Sequence, residues 1–189
     1  MEGLLLVLAL ALIIACLWYV SLIKKRDIAR EALSAIDVQL KNRGARLPAM
    51  LEIASGSMKE ERLLLEDVAE LETLLSRAYD QTQTEEISLH LELVQRLNTR
   101  LAQLLADMDN YPELQSDNRM LEAIQAYQEV EEPLAAARRF YNSAVSEFNT
   151  AVGIFPGSII ASVAGVKVLP YYEAEDAPST ALDAGDFIN

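Results

Sequence analysis

The chain begins with a long apolar stretch whose length and flanking residues are typical of a membrane-spanning helix. Residues 3–23 contain no Asp, Glu, Lys, Arg or His, and a helix of this length rises about 30 Å, the thickness of a bilayer's hydrocarbon core. Trp18 and Tyr19 lie near its end, where aromatic rings favour the lipid headgroups. The basic residues that follow it are Lys24, Lys25, Arg26 and Arg30. Because positive charge marks the cytoplasmic side, we predict an anchor at residues 1–23 with its N-terminus outside.

Two alternatives to an uncleaved anchor exist for this stretch. A cleaved signal peptide needs a basic leading region and a small-residue cleavage site, whereas the leading region here carries Glu2. Residues 13–16 read Ile-Ile-Ala-Cys and resemble a lipoprotein signal, in which Cys16 would carry the lipid. The apolar run continues beyond Cys16 to Ile23, which favours the uncleaved anchor.

Beyond the anchor, apolar residues recur at helical spacing, and no segment alternates apolar and polar residues as a half-buried strand does. Stripes of this kind cover residues 33–75, 94–108 and 120–155. Sustained steps of three, four and seven favour antiparallel packing with coiled-coil-like crossing. We therefore predict an all-α protein, in which the transmembrane helix is followed by a long antiparallel bundle of the four-helix type over residues 24–172. The acidic residues 173–189 are predicted to be a disordered tail.

Prolines and capping residues predict where the helices break. Pro48 should kink the helix that leaves the membrane. A break is expected between Asp80 and Glu85, with Thr84 as the N-cap of the next helix. Helices should end before Pro112 and at Pro156, because the residue before a proline avoids helical dihedral angles.

Two charged residues interrupt the third stripe on one face, Glu131 and Arg138. Isolated burial of either charge is costly, so each should be paired or lie at the edge of the bundle. We expect a structural ion pair or hydrogen-bond network that also includes Asn142. Edge positions in water and a binding site are the alternatives. Pro133, just after Glu131, is expected to bend the helix.

The segment 158–169 is rich in apolar β-branched residues. It could form a short helix across the end of the bundle, an irregular apolar cap, or an exposed patch that binds a partner. The residues of this candidate interaction patch are Phe155, Ile159, Ile160, Val163 and Val166.

The charge is distributed unevenly along the chain. The net charge is −13, which argues against nucleic-acid binding because that affinity depends on Lys and Arg. Residues 24–46 hold seven basic and three acidic residues, a net charge of +4, whereas residues 47–189 carry −16. A basic segment beside an anionic leaflet is stabilised there. The lipid bilayer is therefore an expected partner.

The composition is poor in catalytic groups. The chain has one Cys and one His, which excludes an intramolecular disulfide and any multi-His metal site. Glu86 and His90 lie one helical turn apart, and we interpret them as a solvated pair. We therefore expect no catalytic, cofactor-binding or metal-binding residues, and no enzymatic activity.

Four groups of residues resemble, in order and spacing, the motifs of the LemA family. The groups are Ala32-x-Ser34-x-Ile36-Asp37-Val38-Gln39-Leu40-Lys41 with Arg43 and Pro48; Tyr111-Pro112-x-Leu114 with Asn118; Glu131 with Ala137-Arg138-Arg139-x-Tyr141-Asn142, Val145 and Phe148-Asn149-Thr150; and Phe155-Pro156, Ile160-Ala161, Gly165 and Tyr171-Tyr172-Glu173-Ala174. The resemblance implies a single-pass protein of the bacterial inner membrane with an outside N-terminus, a cytoplasmic helical bundle and no catalytic residues. A related branch is associated with magnetosome membrane formation in magnetotactic bacteria.

Two classes of function follow from these observations. The first is a membrane-anchored scaffold that binds other proteins through its bundle or its apolar C-terminal segment, with or without self-association. A magnetosome-type role in membrane formation is a narrower alternative. The second class is a small-molecule sensor or enzyme with a site between helices. Polar groups that converge on a concave pocket would favour the second class.

Overall fold

The computed structural model describes residues 2–172, and the tail predicted at residues 173–189 lies outside this range. The helices are α1 (Glu2–Gly44), α2 (Leu47–Ser57), α3 (Arg62–Leu75), α4 (Thr84–Met108), α5 (Pro112–Gln115), α6 (Asn118–Gln128), α7 (Glu131–Gly153) and α8 (Gly157–Ala164). No strand occurs within residues 2–172. The predicted all-α class is thereby confirmed.

Helix α1 runs without interruption from the apolar stretch into the bundle. It is 43 residues long. Side chains of its first half face outward, and Leu4, for example, is 67% exposed. From Leu22 onward one face turns inward, and Ala29, Leu33 and Ile36 are fully buried. One rod therefore carries both the apolar segment and a wall of the core.

The long helices pack as a bundle of the four-helix type. Two ion pairs align α7 antiparallel to α1, one between Lys25 and Glu147 at 2.9 Å and one between Arg43 and Glu131 at 3.3 Å. Helix α3 packs against α4, and α2 packs against α6. The four rods of the bundle are thus α1 with α2, α3, α4, and α6 with α7.

The core divides into two apolar clusters along the bundle. The first cluster joins α1, the beginning of α4, α7 and α8. The second joins α2, α3, the remainder of α4, α5 and α6. Burial of these aliphatic faces provides the main driving force for packing. The first cluster lies at the end of the bundle that adjoins the apolar stretch, and we call that end the apolar end. The opposite end is the distal end.

The helix that leaves the apolar stretch is interrupted between Gly44 and Leu47, next to the kink expected at Pro48, whereas Pro133 starts a helix rather than bending one, which corrects that expectation. Pro48 lies in the first turn of α2, and Pro133 lies in the first turn of α7. A missing N–H costs nothing in a first turn, because that group has no intrahelical partner there. The third stripe is accordingly two helices, α6 and α7. Thr84 is the first residue of α4, and Gln83 occupies the N-cap position predicted for Thr84.

After α8 the chain returns along α7 as an extended segment, residues 165–172, which we call the strap. Gly165 ends α8 in the left-handed conformation, at φ 65°, which glycine adopts without strain. The Asn149 side chain donates to the Leu169 carbonyl and accepts from the Leu169 amide, both at 2.9 Å. Asn142 makes the same pair of bonds with Tyr172, both at 2.8 Å. Two asparagines thus fix the strap to the bundle.

Candidate functional site

A buried polar cluster lies between α1, α4 and the segment that connects α3 to α4. Asp37 is at its centre and accepts hydrogen bonds from the Tyr79 hydroxyl at 3.0 Å and the Gln81 amide at 2.9 Å. His90 Nε2 lies 3.1 Å from Asp37 Oδ1. Burial and the adjacent Asp37 carboxylate raise the pKa of Tyr79, so this hydroxyl stays a proton donor. We call these four residues the Asp37 cluster.

The position of His90 corrects the interpretation of Glu86 and His90 as a solvated pair. His90 is only 7% exposed, and its ring stacks on that of Tyr79 at a centroid distance of 4.1 Å. The Glu86 carboxylate instead accepts a hydrogen bond from the Asp80 amide. Helical spacing places two residues on one face, but the elements packed against that face decide their partners.

Arg43 lies farther along α1 and is almost completely buried, with 2% exposure. Its Nη1 pairs with Glu131 at 3.3 Å, and its guanidinium lies 5.7 Å from the centre of the Tyr127 ring. Its Nη2 is buried and has no hydrogen-bond partner within residues 2–172. An unpaired buried donor is costly, so this atom is a candidate contact for an acceptor group.

Glu72 on α3 lies beside Arg43. Burial raises the pKa of Glu72, and the Arg43 charge opposes that rise. A Cβ built on Gly44 would overlap the Glu72 carboxylate. The Glu72 side chain thus passes so close to the backbone at the end of α1 that a glycine fits there and a larger residue would clash.

A cavity of about 420 Å³ adjoins these groups and is lined by Asp37, Lys41, Arg43, Glu72, Arg77, Tyr79 and His90, among others. Its volume lies in the range of small-molecule sites. Because Asp37 already accepts from its neighbours, its main effect is to orient Tyr79 and His90. Arg43 and Lys41 are the groups suited to an anionic ligand. Within the described part of the chain, no three metal-ligating side chains come together.

Of the three residues predicted to form one polar network, the structure places Glu131 apart, whereas Arg138 and Asn142 both contact Tyr172. Glu131 pairs with Arg43 rather than with Arg138. The Arg138 guanidinium stacks over the Tyr172 ring at 4.7 Å, a favourable cation–π arrangement. Asn142 fixes the strap through the Tyr172 backbone. Each of these three polar residues of α7 therefore has its partner outside α7.

Sequence reasoning missed Arg43 and the Asp37 cluster as members of a site. Arg43 follows Ile36 and Leu40 at the spacing of an apolar stripe, so a basic residue on a buried face was the available signal. Nothing in the local sequence indicated that Tyr79 would stack on His90, because the two residues belong to different elements.

The segment after Pro156 forms a short helix, α8, which is one of the three structures expected for it. The residues of the candidate interaction patch lie before α8, on it and just after it. Phe155 is 78% exposed and Val163 is 86% exposed, and Ile159 also faces outward. Ile160 is half-buried, and Val166 packs against the first core cluster. Only three of the five residues thus form an outward face.

The basic residues after the apolar stretch differ in their surroundings. Lys24 is exposed, and Lys25 pairs with Glu147 on α7. Arg26 and Arg30 are half-buried, and their Nε atoms have no hydrogen-bond partner in the described structure. The positive charge therefore lies where α1 enters the bundle.

These features define a membrane-associated all-α protein. One helical segment, Glu2–Ser57, contains a stretch long and apolar enough to cross a membrane, and a helical bundle continues from it. The sequence model of the LemA family matches residues 32–183, which is more than half of the chain. The protein belongs to the LemA family.

The chain is also similar to two curated relatives, Magnetosome protein MamQ 1 and Magnetosome protein MamQ 2 of Paramagnetospirillum magneticum. Each is 28% identical over 82 residues, which make up 43% of this chain and 30% of the relative. The match therefore spans less than a third of the length of either MamQ protein.

Proposed function

We propose that the protein is a non-catalytic scaffold of the bacterial inner membrane, with its N-terminus outside and its bundle in the cytoplasm, where it binds other proteins. The observation that carries this proposal is the continuity of α1. The twenty-one residues from Lys24 to Gly44 extend the helix about 30 Å beyond the membrane surface. Because α7 packs along this rod, the bundle has a fixed orientation relative to α1, which suits a protein that positions its partners.

A groove at the distal end is the surface that we assign to a partner protein. It lies between α2 and α5–α6 and has a volume of about 850 Å³. Its rim carries the charged residues Glu52, Glu113, Asp117, Arg119 and Glu122, and its apolar lining includes Ile53 and Leu114. The rim has a net negative charge, so charge complementarity favours a basic segment of a partner.

A photocrosslinking residue placed at Ala123, beside the groove, tests this function in native membranes. We expect an adduct with a membrane or cytoplasmic protein, and Glu122→Lys should abolish it. Glu70→Lys, on the exposed face of α3, is the matched control and should leave it intact. An adduct that survives Glu122→Lys, or its absence in the parent, would contradict binding at this groove.

The membrane topology has its own test. A reporter fused after Asn189 should be active only in the cytoplasm. Activity on the outer side would overturn the orientation that the basic residues after the anchor predict. The similarity to the MamQ proteins supports a narrower alternative, a magnetosome-type role in membrane formation, over the matched 82 residues only.

A second function, the sensing of a small anionic molecule, is favoured by one observation. The unpartnered Nη2 of Arg43 lies beside a cavity of about 420 Å³ with other polar groups around it. Carboxylates and phosphates that bind there should raise the Tm of the parent protein. They should raise the Tm of Lys41→Ala less, because Lys41 lines the same cavity. Equal shifts in both proteins would exclude this cavity as the site.

A further inference from the structure

Helix α8 lies against the apolar stretch of α1, not only against the bundle. Helix α8 contacts both α1 and α7. Its first residue, Gly157, is so close to α1 that a Cβ built there would lie 3.8 Å from Cε3 of Trp18. Trp18 and Leu22 also line a cleft with Ala151 and Ile154 at the end of α7. The apolar end of the bundle thus reaches back along α1 past the basic residues.

The position of Trp18 sets the depth of α8. The charge-free stretch, residues 3–23, rises about 30 Å and is only just long enough to cross the hydrocarbon core. Trp18 lies about 7 Å deeper along α1 than Ile23, the last residue of this stretch, and so near the boundary between headgroups and acyl chains that aromatic rings favour. Interfacial helices insert their apolar faces about 5–10 Å into the boundary between headgroups and acyl chains. Helix α8, beside Trp18, lies at this depth.

The chemistry of α8 suits that location. Residues 148–166 contain no Asp, Glu, Lys, Arg or His. Ile159 and Val163 are four residues apart on α8, so they share one face, and both are exposed, as is Phe155 in the turn just before α8. An apolar face of this kind in water would be an unusual surface for a protein with a large negative charge.

Basic side chains lie at the same end of the bundle as α8. Lys167 follows α8 directly and pairs with Glu85 at 2.7 Å, and both side chains are largely exposed. Lys24 is exposed on α1, and Arg26 lines a surface cavity together with Lys167. A flank of Lys and Arg around an apolar surface complements anionic headgroups.

We propose that the outward face of α8, formed by Ile159 and Val163, docks together with Phe155 into the boundary between headgroups and acyl chains of the leaflet through which α1 leaves the membrane. This face is then a second membrane contact and not a site for a protein partner. The bundle is held to the bilayer at two places, α1 and α8. The inference rests on the proposed crossing of the membrane by α1.

Fluorescence quenching in vesicles tests the docking. Single cysteines at Val163, Leu10 and Leu63 are introduced into the full chain carrying Cys16→Ser and labelled with a polarity-sensitive dye. All three native side chains are exposed, so the substitutions should not disturb the core. The vesicles contain phosphatidylcholine and phosphatidylglycerol, with nitroxide on the acyl chains of a fraction of the lipid. Aqueous iodide is the second quencher.

We expect the Val163 label to lose its fluorescence to the nitroxide lipid and to resist iodide, as the Leu10 label does. The Leu63 label, on distal α3, should show the reverse. If iodide quenches the Val163 label while the Leu10 label is quenched by lipid, α8 docking is wrong and the span stands. Protection of the Val163 label from both quenchers would mean that protein covers α8, which also overturns the docking. Quenching of the Leu10 label by iodide would instead overturn the proposed span.

Discussion

Replacing Asn142 with alanine removes the bonds that hold one end of the strap to α7. The Asn142 amide donates to the Tyr172 carbonyl and accepts from the Tyr172 amide, both at 2.8 Å. Alanine can do neither, and the Tyr172 side chain is only 3% exposed. The two backbone groups of Tyr172 would therefore lose their partners in a setting with little access to water.

The loss of stability in Asn142→Ala follows from the number of hydrogen bonds that are removed. Each hydrogen bond contributes about 0.5–1.5 kcal/mol net, and a buried group left unpaired costs more. The loss should be about 1–3 kcal/mol, or roughly 2–4 °C in Tm for each kcal/mol in a chain of this size. Asn142→Asp keeps the acceptor but sets a carboxylate oxygen against the Tyr172 carbonyl, so its Tm should also fall below that of the parent. The double variant Asn142→Ala with Asn149→Ala should cost less than the sum, because either loss frees the same strap.

Thermal unfolding of the full chain in nanodiscs measures these effects, and Ser143→Ala serves as the control. Ser143 is the exposed neighbour of Asn142 on the same helix, so its replacement tests for a general effect of alanine there. Hydrogen exchange at the Tyr172 amide should also accelerate in Asn142→Ala. A Tm equal to that of Ser143→Ala, with unchanged exchange at Tyr172, would refute the role assigned to the strap.

Three further substitutions test the polar groups of the bundle. Arg138→Ala should lower the Tm more than Arg139→Ala, since Arg138 stacks on Tyr172 and Arg139 is exposed; equal Tm values would contradict a structural role for the stacking. Arg43→Met should lower stability by about 1–3 kcal/mol in chemical denaturation, because it leaves partly buried carboxylates unpaired, and an unchanged midpoint would count against that pairing. The raised pKa of Glu72 means that the folded state favours the neutral carboxyl group. The stability that neutral Glu72 contributes is present below the unfolded pKa and is lost as the pH rises through the folded pKa. Glu72→Gln should therefore gain Tm relative to the parent as the pH rises above 4.5, the ordinary pKa of a glutamate, and a difference that does not change with pH would rule this out.

The fold could be predicted from the sequence because its signals are local. The apolar stretch at residues 3–23 and the helical stripes are visible as period and length alone. The ends of the helices are harder to predict, because a proline can either occupy the first turn of a helix or break the interior of one. Pro48 and Pro133 both occupy first turns, a choice that depends on how the next helix packs.

The site could not be predicted in the same way, because its contacts join residues far apart in the chain. Arg43 and Glu131 are 88 positions apart, and Asp37 and His90 are 53 positions apart. Helical spacing identifies the face on which a residue lies, and it says nothing of the element across from that face. The sequence therefore predicts that Glu131 takes part in an ion pair, but it does not identify Arg43 as the partner.

The unbroken α1 makes the bundle a lever whose angle depends on the bilayer. In a bilayer whose hydrocarbon core is thinner than about 30 Å, α1 would be too long for the core and would tilt to fit, and a thicker bilayer would reduce that tilt. A change of about 10° at the membrane surface moves a point about 30 Å up the same rod by about 5 Å. With α1 as the spanning helix, lipid composition would set where the distal groove stands. A change in membrane thickness would thereby displace the distal groove relative to the membrane surface.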